Sequence, residues 1–440
     1  MKKMNKKTSM EEEKEEFAEK HSNSSSHLYL EAKNNNYNII SKQKSSTIQF
    51  YIIIIAIFFI IYYLFFSSKG SQITNQANIK YNVLVGDIGG THIRFRLLKM
   101  SKNAEDSIDT IDTTKLKTAD FPSMESAFVH YLKSAEKNYP QIAIIGVPGP
   151  VQDNTIIKLS NIPHWKSESG DELSKKLNIK KFLFLNDFAC NSYGIQTKLK
   201  LGEDYIIINK GEKKENGPMG VIGPGTGLGM GYLLKDKKNK YYTIGNSEGG
   251  HQNFSRKNKI FFELAEFVKN EYNLEHVTIE NICSGQGMVP LYKFLLKKEQ
   301  EQGININDID REKILAEKVD KFNDYKDKKT RDILSNEITQ KGVKNECHLS
   351  RKVIELFIQV LADTASDLAL LTLPTGGIYL LGGISVAIEP FMKQSDVFMK
   401  YFTDKDHSFM LQNFPVYLIK NDNIGMLGAA EAARRLLEED

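Results

Sequence analysis

An amide and a carboxylate at the end of a strand-like segment are the side chains best suited to move a proton. Asn186 and Asp187 directly follow the apolar run Phe182-Leu-Phe-Leu185. Open α/β sheets bind ligands beyond the carboxyl ends of their strands. A carboxylate at that edge accepts a proton from a hydroxyl group, and the neighbouring amide fixes a second hydroxyl. A helix N-cap explains the pair equally well, since Asn and Asp are favoured there.

A second polar set suits the binding of vicinal hydroxyls. The loop Glu248-Gly-Gly-His251 combines a carboxylate with an imidazole, which together accept and donate hydrogen bonds. Glu280 precedes Ser284-Gly-Gln-Gly287, although alone it is equally typical of an exposed helix. His164 and Trp165 either line the same cleft or pack in the core.

Two glycine-rich segments indicate a nucleotide. Gly86-Asp-Ile-Gly-Gly-Thr91 and Gly223-Pro-Gly-Thr-Gly-Leu-Gly229 each lie between apolar runs, which predicts β-hairpin turns. Glycine lets the backbone approach a ligand and bare its N–H groups to phosphate oxygens. Neither segment has the Walker ending or leads into a helix, so P-loop and dinucleotide sites are excluded. Two such turns suggest related half-domains closing on a nucleotide.

Asp87, inside the first glycine segment, has two interpretations. It stabilises the turn through its side chain, or it lies near a nucleotide-bound Mg²⁺. The glycines that follow favour the second. Magnesium retains several waters, so the predicted contact runs through water.

The elements that would position these residues alternate between strand and helix. Buried strands are predicted at 141–146, 181–185 and 377–381, and a long buried helix at Val353–Leu373. The densely charged stretch 297–346 is typical of a solvated helical surface or a mobile insertion, and no site is expected there.

Composition excludes several classes of protein. At 440 residues the chain has room for two or three domains. Its net charge of +4, from 59 basic and 55 acidic side chains, gives no electrostatic case for nucleic acid. Three isolated cysteines indicate neither a disulfide framework nor a zinc cluster, and they fit a reducing compartment better than a secreted one.

The N-terminal region predicts a membrane anchor. Residues 1–47 are polar and low in complexity, which is typical of disorder. Residues 48–66 are apolar and uncharged, long enough at 1.5 Å per residue to span a bilayer core of about 30 Å. The preceding polar stretch is too long for a cleaved signal peptide. We therefore predict a single uncleaved transmembrane helix at 48–66, with a linker at 67–78.

From residue 79 onward the chain resembles the bacterial-type glucokinases of the hexokinase/actin-like ATPase superfamily, a group that also occurs in protists. The segments described above match in family order, joined by three near the C-terminus: Leu381-Gly-Gly-Ile384, Pro415-Val-Tyr-Leu-Ile419 and Asn423-Ile-Gly425. The resemblance implies an α/β fold of two actin-like ATPase (RNase H-like) lobes flanking an interlobe cleft. The expected domains are a small lobe at 79–197, completed by a C-terminal helix at about 424–440, and a large lobe at 198–423.

The resemblance also implies ATP-dependent phosphorylation of D-glucose at its 6-hydroxyl, the ATP:D-glucose 6-phosphotransferase reaction. Asp187 would be the general base, and the sugar hydroxyls would bind Asn186, Glu248, His251 and Glu280. The expected cofactors are ATP and Mg²⁺, the latter contacting Asp87 through water. The implied ATP-binding residues are Gly86, Asp87, Ile88, Gly89, Gly90, Thr91, Gly225, Thr226, Gly227, Gly382 and Gly383.

The chain departs from the family pattern in three places: His92 replaces a usual Asn, a membrane anchor is predicted at 48–66, and the charged stretch 297–346 is longer than usual.

Lysines flank residues 48–66 almost equally, so charge does not decide the orientation of the predicted anchor. We infer a cytosolic kinase domain because a kinase needs cytosolic ATP. A homodimer is a candidate assembly. The alternative functions are a hexokinase of broader specificity, a catalytically silent sugar-binding regulator and an actin-like ATPase that serves a protein partner.

Overall fold

The computed structural model describes residues 54–62, 80–101, 108–159, 162–236, 238–245, 247–304, 310–324 and 327–439. It divides into two compact units, Met1–Ile79 and Lys80–Asp440. In the first, residues 54–62 form an exposed helix, α1. Within the described ranges no helix combines the length and the hydropathy that a bilayer crossing requires. The rest of the predicted 48–66 span and the segments 1–47 and 67–78 lie outside the described residues.

Strands and helices alternate through the second unit. Its strands are β1 (Lys80–Ile88), β2 (His92–Ser101), β3 (Ile108–Lys117), β4 (Ile142–Val147), β5 (Val151–Gln152), β6 (Thr155–Ile156), β7 (Lys181–Asn186), β8 (Tyr205–Asn209), β9 (Met219–Pro224), β10 (Leu228–Leu234), β11 (Thr243–Gly245), β12 (Gly377–Leu380) and β13 (Val416–Ile419). Its helices are α2 (Met124–Ser134), α3 (Gly170–Lys176), α4 (Asp187–Gly194), α5 (Lys259–Glu271), α6 (Met288–Glu301), α7 (Asp310–Asp320), α8 (Lys328–Val343), α9 (His348–Thr372), α10 (Gly383–Ala387), α11 (Glu389–Gln394), α12 (Val397–Phe402), α13 (Ser408–Leu411) and α14 (Ile424–Glu439).

The same strand order occurs twice. The first sheet runs β3-β2-β1-β4-β7, with β2 antiparallel to both neighbours and with β4 and β7 parallel to β1. The second sheet repeats this pattern as β11-β10-β9-β12-β13, and β8 is added antiparallel at the β13 edge. This is the mixed α/β architecture of actin-like ATPases, as expected from the sequence.

The two glycine segments are hairpin turns, as predicted. The first joins β1 to β2, where the N–H of Gly89 donates to the carbonyl of His92 at 2.8 Å. The second joins β9 to β10, where the N–H of Gly225 donates to the carbonyl of Gly227 at 2.8 Å. The predicted buried strands are confirmed as β4, β7 and β12. The predicted long helix is α9, which begins at His348, five residues earlier than expected.

Helices α4 and α14 lie between the two sheets. One face of the first sheet packs on α2 and the other on α14, through residues such as Val85 and Ala429. Helices α5, α6 and α9 pack on one face of the second sheet. The other face packs against Phe188 of α4, Ile195 just beyond α4 and Ile424 of α14. Both helices therefore touch the side chains of both sheets.

The charged stretch 297–346 contains the end of α6 together with α7 and α8. It is helical, but α8 is not solvated on every side: Leu334 and Ile338 are buried with α9 in the core of the second sheet. The hydroxyl of Ser335 donates to the carbonyl of Gly285, in the turn before α6. The stretch thus contributes a contact near the predicted site, which the charge pattern did not indicate.

Glycines allow α4 and α14 to approach each other closely. A Cβ atom on Gly428 would lie 1.7 Å from the carbonyl oxygen of Cys190, and one on Gly194 would lie 2.2 Å from that of Ile424. Both obstacles are backbone atoms, so the helices would have to separate to accept a side chain.

We expect Gly428→Ala to lower the free energy of unfolding by about 2 kcal/mol or more, because it overpacks this helix crossing. Gly425→Ala is the matched control on α14, since its Cβ would meet only the side-chain oxygen of Asn191, at 3.2 Å. Thermal unfolding of both variants, followed by circular dichroism, checks the expectation. Equal melting temperatures would contradict the proposed close contact.

Candidate active site

A cleft of about 1820 Å³ opens beside the N-terminus of α4. Its walls come from the first sheet, from the β9–β10 turn and from the segments that follow β11. The cleft brings together most of the residues predicted from sequence: Asn186, Asp187, Gly225, Thr226, Gly227, Glu248, His251, Glu280 and Gly382. Side chains far apart in the chain thus share one solvent-filled space.

The sequence left open whether the Asn186-Asp187 pair is a helix N-cap or a proton acceptor, and the structure assigns the N-cap to Asn186. Asn186 is the N-cap of α4: its side-chain oxygen accepts from the N–H groups of Phe188, at 2.9 Å, and Ala189, at 3.2 Å. Its amide donates to the carbonyl of Gly149 at 3.0 Å. One amide hydrogen has no acceptor among the described residues. Asp187 is not needed as the cap, so its carboxylate is available to the cleft.

The carboxylate of Asp187 has an unusual proton affinity. Its Oδ1 accepts from the N–H of Phe188 at 2.8 Å. The side chain is exposed to the open cleft, but protein atoms crowd around the carboxylate and displace part of its hydration. This desolvation raises the pKa of Asp187 to about 6, against the opposing effect of the Phe188 hydrogen bond, and the negative charges of Asp87 and Glu248 raise it further. A pKa near neutrality suits a group that must take up a proton.

Glu248 and His251 face each other across one turn of 3₁₀ helix. The N–H of His251 donates to the carbonyl of Glu248 at 3.0 Å. Their side chains are exposed by 72% and 61%, and Glu248 Oε2 lies 3.8 Å from His251 Nε2. That separation is too long for a hydrogen bond. Both groups can therefore bond to a hydroxylated ligand in the cleft.

Glu280 lies against the second glycine turn. Its Oε2 accepts from the N–H of Leu228 at 2.9 Å. A Cβ atom on Gly227 would lie 2.4 Å from that oxygen, so a side chain there would displace the carboxylate from its present position. The N–H groups of Thr226 and Gly227 have no acceptor among the described residues and remain available to phosphate oxygens.

The first glycine segment lies outside the lining of the cleft. Residues 86–91 and Gly383 do not line the cleft as it stands. Ile88 is buried in the core, and a Cβ on Gly86 would lie 2.9 Å from Ile145, so both have packing functions within β1. The N–H groups of Gly90 and Thr91 have no acceptor among the described residues, as in the second turn.

Asp87 connects the first glycine segment to the site by its charge. It lies in β1, opposite Arg94 of β2. Burial raises the pKa of Asp87, and the positive charge of Arg94 opposes that rise. Its own charge acts on Asp187. Within the described residues no group of three or more His, Cys, Asp or Glu could hold a metal ion.

Sequence reasoning missed two residues at the site and left two undecided. Phe188 packs its ring where Gly223 and Gly229 lack side chains, at 2.9 and 2.3 Å from the positions of their Cβ atoms. Gln286 donates to Glu280 at 3.2 Å. The proximity of an amide to Glu280 in the chain was a usable signal, whereas nothing local reveals the Phe188 contact. Of the undecided pair, Trp165 is buried in the core, where its Nε1 donates to the carbonyl of Phe121, and His164 is exposed and does not line the cleft.

Two α/β sheets of the same strand order, with a cleft lined by carboxylates and one glycine turn, are typical of sugar kinases of the actin-like ATPase class. The glucokinase family model matches residues 84–436. A glucokinase of Nostoc punctiforme is 32% identical over 356 residues, which cover 80% of this chain and 99% of that protein. The chain belongs to the glucokinase family.

Solved structures agree with this assignment. The crystal structure of a glucokinase from an Antarctic psychrotroph is 27% identical and superposes with a TM-score of 0.64, covering 80% of this chain and 99% of that one. A glucokinase from Balamuthia mandrillaris, solved in complex with glucose, is 19% identical with a TM-score of 0.61, covering 81% and 94%. The second likeness supports the fold alone.

When the pH is lowered below about 6, we expect kcat/KM for glucose to decrease, because Asp187 becomes protonated and can no longer accept a proton. Asp87→Asn removes a like charge that raises the pKa of Asp187, so the acid limb of the profile should move to lower pH. Asp109→Asn is the control, since Asp109 pairs with Lys80 on the surface. An unmoved limb in Asp87→Asn would show that this charge does not reach Asp187.

Proposed function

We propose that Asp187 is the general base for transfer of the γ-phosphoryl group of ATP to the 6-hydroxyl of D-glucose, and that it accepts the proton of that hydroxyl. Membership of the glucokinase family supports this phosphotransferase reaction. The observation that carries the assignment of the base is the Asp187 carboxylate at the start of α4, which faces the cleft with one oxygen bonded to the N–H of Phe188 and has a pKa near 6. It lines the same cleft as the Glu248–His251 segment and the second glycine turn.

In this reaction the 6-hydroxyl oxygen attacks the γ-phosphorus, and its proton passes to the Asp187 carboxylate. The bond between the γ-phosphorus and the bridging oxygen breaks, and ADP leaves with that electron pair. Phosphoryl transfer has a loose transition state, so alignment and charge neutralisation supply most of the catalysis. Mg²⁺ enters with ATP, and Asp87 would contact it through water.

The nucleotide would be held mainly by backbone groups. Thr226 and Gly227 in one turn and Gly90 and Thr91 in the other offer N–H groups that have no acceptor among the described residues. Such donors are preorganised by their hairpins and stabilise negative charge without reorganising. Gly382, with a φ of +88° that suits glycine, lines the cleft and would lie against adenosine.

Glucose would bind through four side chains of the cleft. Glu248, Glu280 and His251 accept and donate hydrogen bonds to vicinal hydroxyls. Asn186 contributes less than the sequence indicated, because its oxygen caps α4 and one amide hydrogen is taken by Gly149. Asn186 would therefore offer the sugar one N–H donor, from the amide hydrogen that has no acceptor among the described residues.

Lobe closure would complete the site. The cleft, at about 1820 Å³, is larger than the roughly 300–1,000 Å³ of a typical small-molecule pocket. Residues 86–91, which lie outside its lining, would approach the nucleotide as the lobes close. Closure excludes water, which competes with glucose for the phosphoryl group.

The N-terminal anchor belongs to the proposal as well. The uncharged apolar run at 48–66 would hold the chain on a membrane, with its kinase unit in the cytosol where ATP is available. Separation of membranes from soluble extract, with protease protection of the kinase unit, tests this topology. Light scattering of the detergent-solubilised chain tests for a homodimer, and a coupled assay across hexoses tests for broader specificity.

We expect Asp187→Asn to lower kcat for glucose phosphorylation by about 10²–10⁴, the usual contribution of a general base. Asn retains the size of the side chain, so the dissociation constant for glucose, measured by calorimetry, should change little. Asp153→Asn is the matched control, since Asp153 is exposed at a turn with a φ of 47° that Asn tolerates. Near-normal turnover in Asp187→Asn would remove Asp187 from this role.

A further inference from the structure

Gln286 lies on the wall of the cleft, in the short turn before α6. Its side-chain Nε2 donates to Oε1 of Glu280 at 3.2 Å. Both side chains are half-buried, so the bond is neither freely hydrated nor remote from a ligand. The function proposed above assigns Glu280 to the sugar and leaves Gln286 without a role.

The two oxygens of Glu280 have different partners. Oε2 accepts from the backbone N–H of Leu228 at 2.9 Å, in the space left by Gly227. Oε1 accepts from Gln286. An ionised carboxylate has about four lone-pair positions, so two remain for hydroxyl donors from the cleft.

The backbone around Gln286 is itself held firmly. The hydroxyl of the buried Ser284 donates to the carbonyl of Glu280 at 2.6 Å and accepts from the N–H of Gln286 at 3.2 Å. The N–H of Gly285 donates to the carbonyl of Gly225 at 2.8 Å. The N–H of Glu280 donates to the carbonyl of Gly250 at 2.9 Å. Segment 280–287 is thus bonded to both the glycine turn and the Glu248–His251 loop.

We propose that Gln286 is a positioning residue for glucose, which acts by fixing the plane of the Glu280 carboxylate. This inference rests on the proposed function. Held by Leu228 alone, the carboxylate could turn about its terminal bond and present its free lone pairs in many directions. A second donor on the other oxygen stops that rotation, so the sugar meets acceptors already in place and binding costs less conformational entropy.

Two substitutions separate this role from simple packing. Gln286→Ala removes the donor and the bulk of the side chain, whereas Gln286→Met keeps a similar size without charge and without the donor. If Gln286 only filled space, Gln286→Met would resemble the wild type. If it positions Glu280, Gln286→Met should bind glucose about as weakly as Gln286→Ala.

The experiment measures glucose dissociation constants by calorimetry on the full-length protein, with kcat and KM on the same samples. We expect Gln286→Ala to raise the dissociation constant and KM for glucose by up to about tenfold, because the sugar must then order the Glu280 carboxylate as it binds, with kcat within about threefold of wild type. Gln340→Ala, on the exposed side of α8, is the matched control and should change neither constant.

A double-mutant cycle with Glu280→Ala shows whether Gln286 acts through Glu280. In that background Gln286→Ala should have no further effect on glucose binding. Equal effects in both backgrounds, or near wild-type glucose binding by Gln286→Met, would overturn the inference. If the wild-type protein binds glucose without phosphorylating it, the proposed reaction alone is overturned. The double-mutant cycle would then still test the role of Gln286, because it is measured through glucose dissociation constants. Absence of glucose binding would overturn both.

Discussion

The position of Asp187, the proposed base, depends on the first turn of α4, where three consecutive residues have three different tasks. Asn186 caps the helix through the N–H groups of the turn, and Asp187 faces the cleft. Phe188 packs its ring on the glycines of β9 and β10, including Gly223 and Gly229. Because Phe188 fixes the helix to the second sheet, the distance from Asp187 to the second glycine turn is set by buried packing and not by a loop. Such an arrangement holds a catalytic group to within fractions of an ångström.

The glycines of the second turn serve packing as much as ligand binding. Gly223 and Gly229 make room for Phe188, and Gly227 makes room for the Glu280 carboxylate. The turn is therefore held from both sides, which keeps the N–H groups of Thr226 and Gly227 in place for an anion. A glycine-rich phosphate loop is commonly attributed to the ligand's need for close approach. Here the protein's own side chains impose the same requirement.

The sequence predicted the elements with local signals better than the contacts between them. Apolar runs located β4, β7, β12 and the long helix α9, and the glycine turns were identified as hairpins. The Asn186-Asp187 pair could not be divided into cap and base, because either residue type suits either task. The structure shows that Asn186 occupies the N-cap position and accepts from two N–H groups of the first turn, whereas Asp187 accepts from one and lines the cleft. The bond between Glu280 and Leu228 joins residues 52 positions apart, and charge density alone did not reveal the buried face of α8.

The carboxylates near Asp187 connect its ionisation to ligand binding. The negative charges of Asp87 and Glu248 add to the effect of burial in raising the pKa of Asp187. In the free protein at neutral pH the Asp187 carboxylate is largely ionised but close to its titration range. A Mg²⁺ ion held through water near Asp87 would offset the charge of Asp87 and so lower the pKa of Asp187. The proposed base would therefore be more fully ionised with that ion bound than in the free protein.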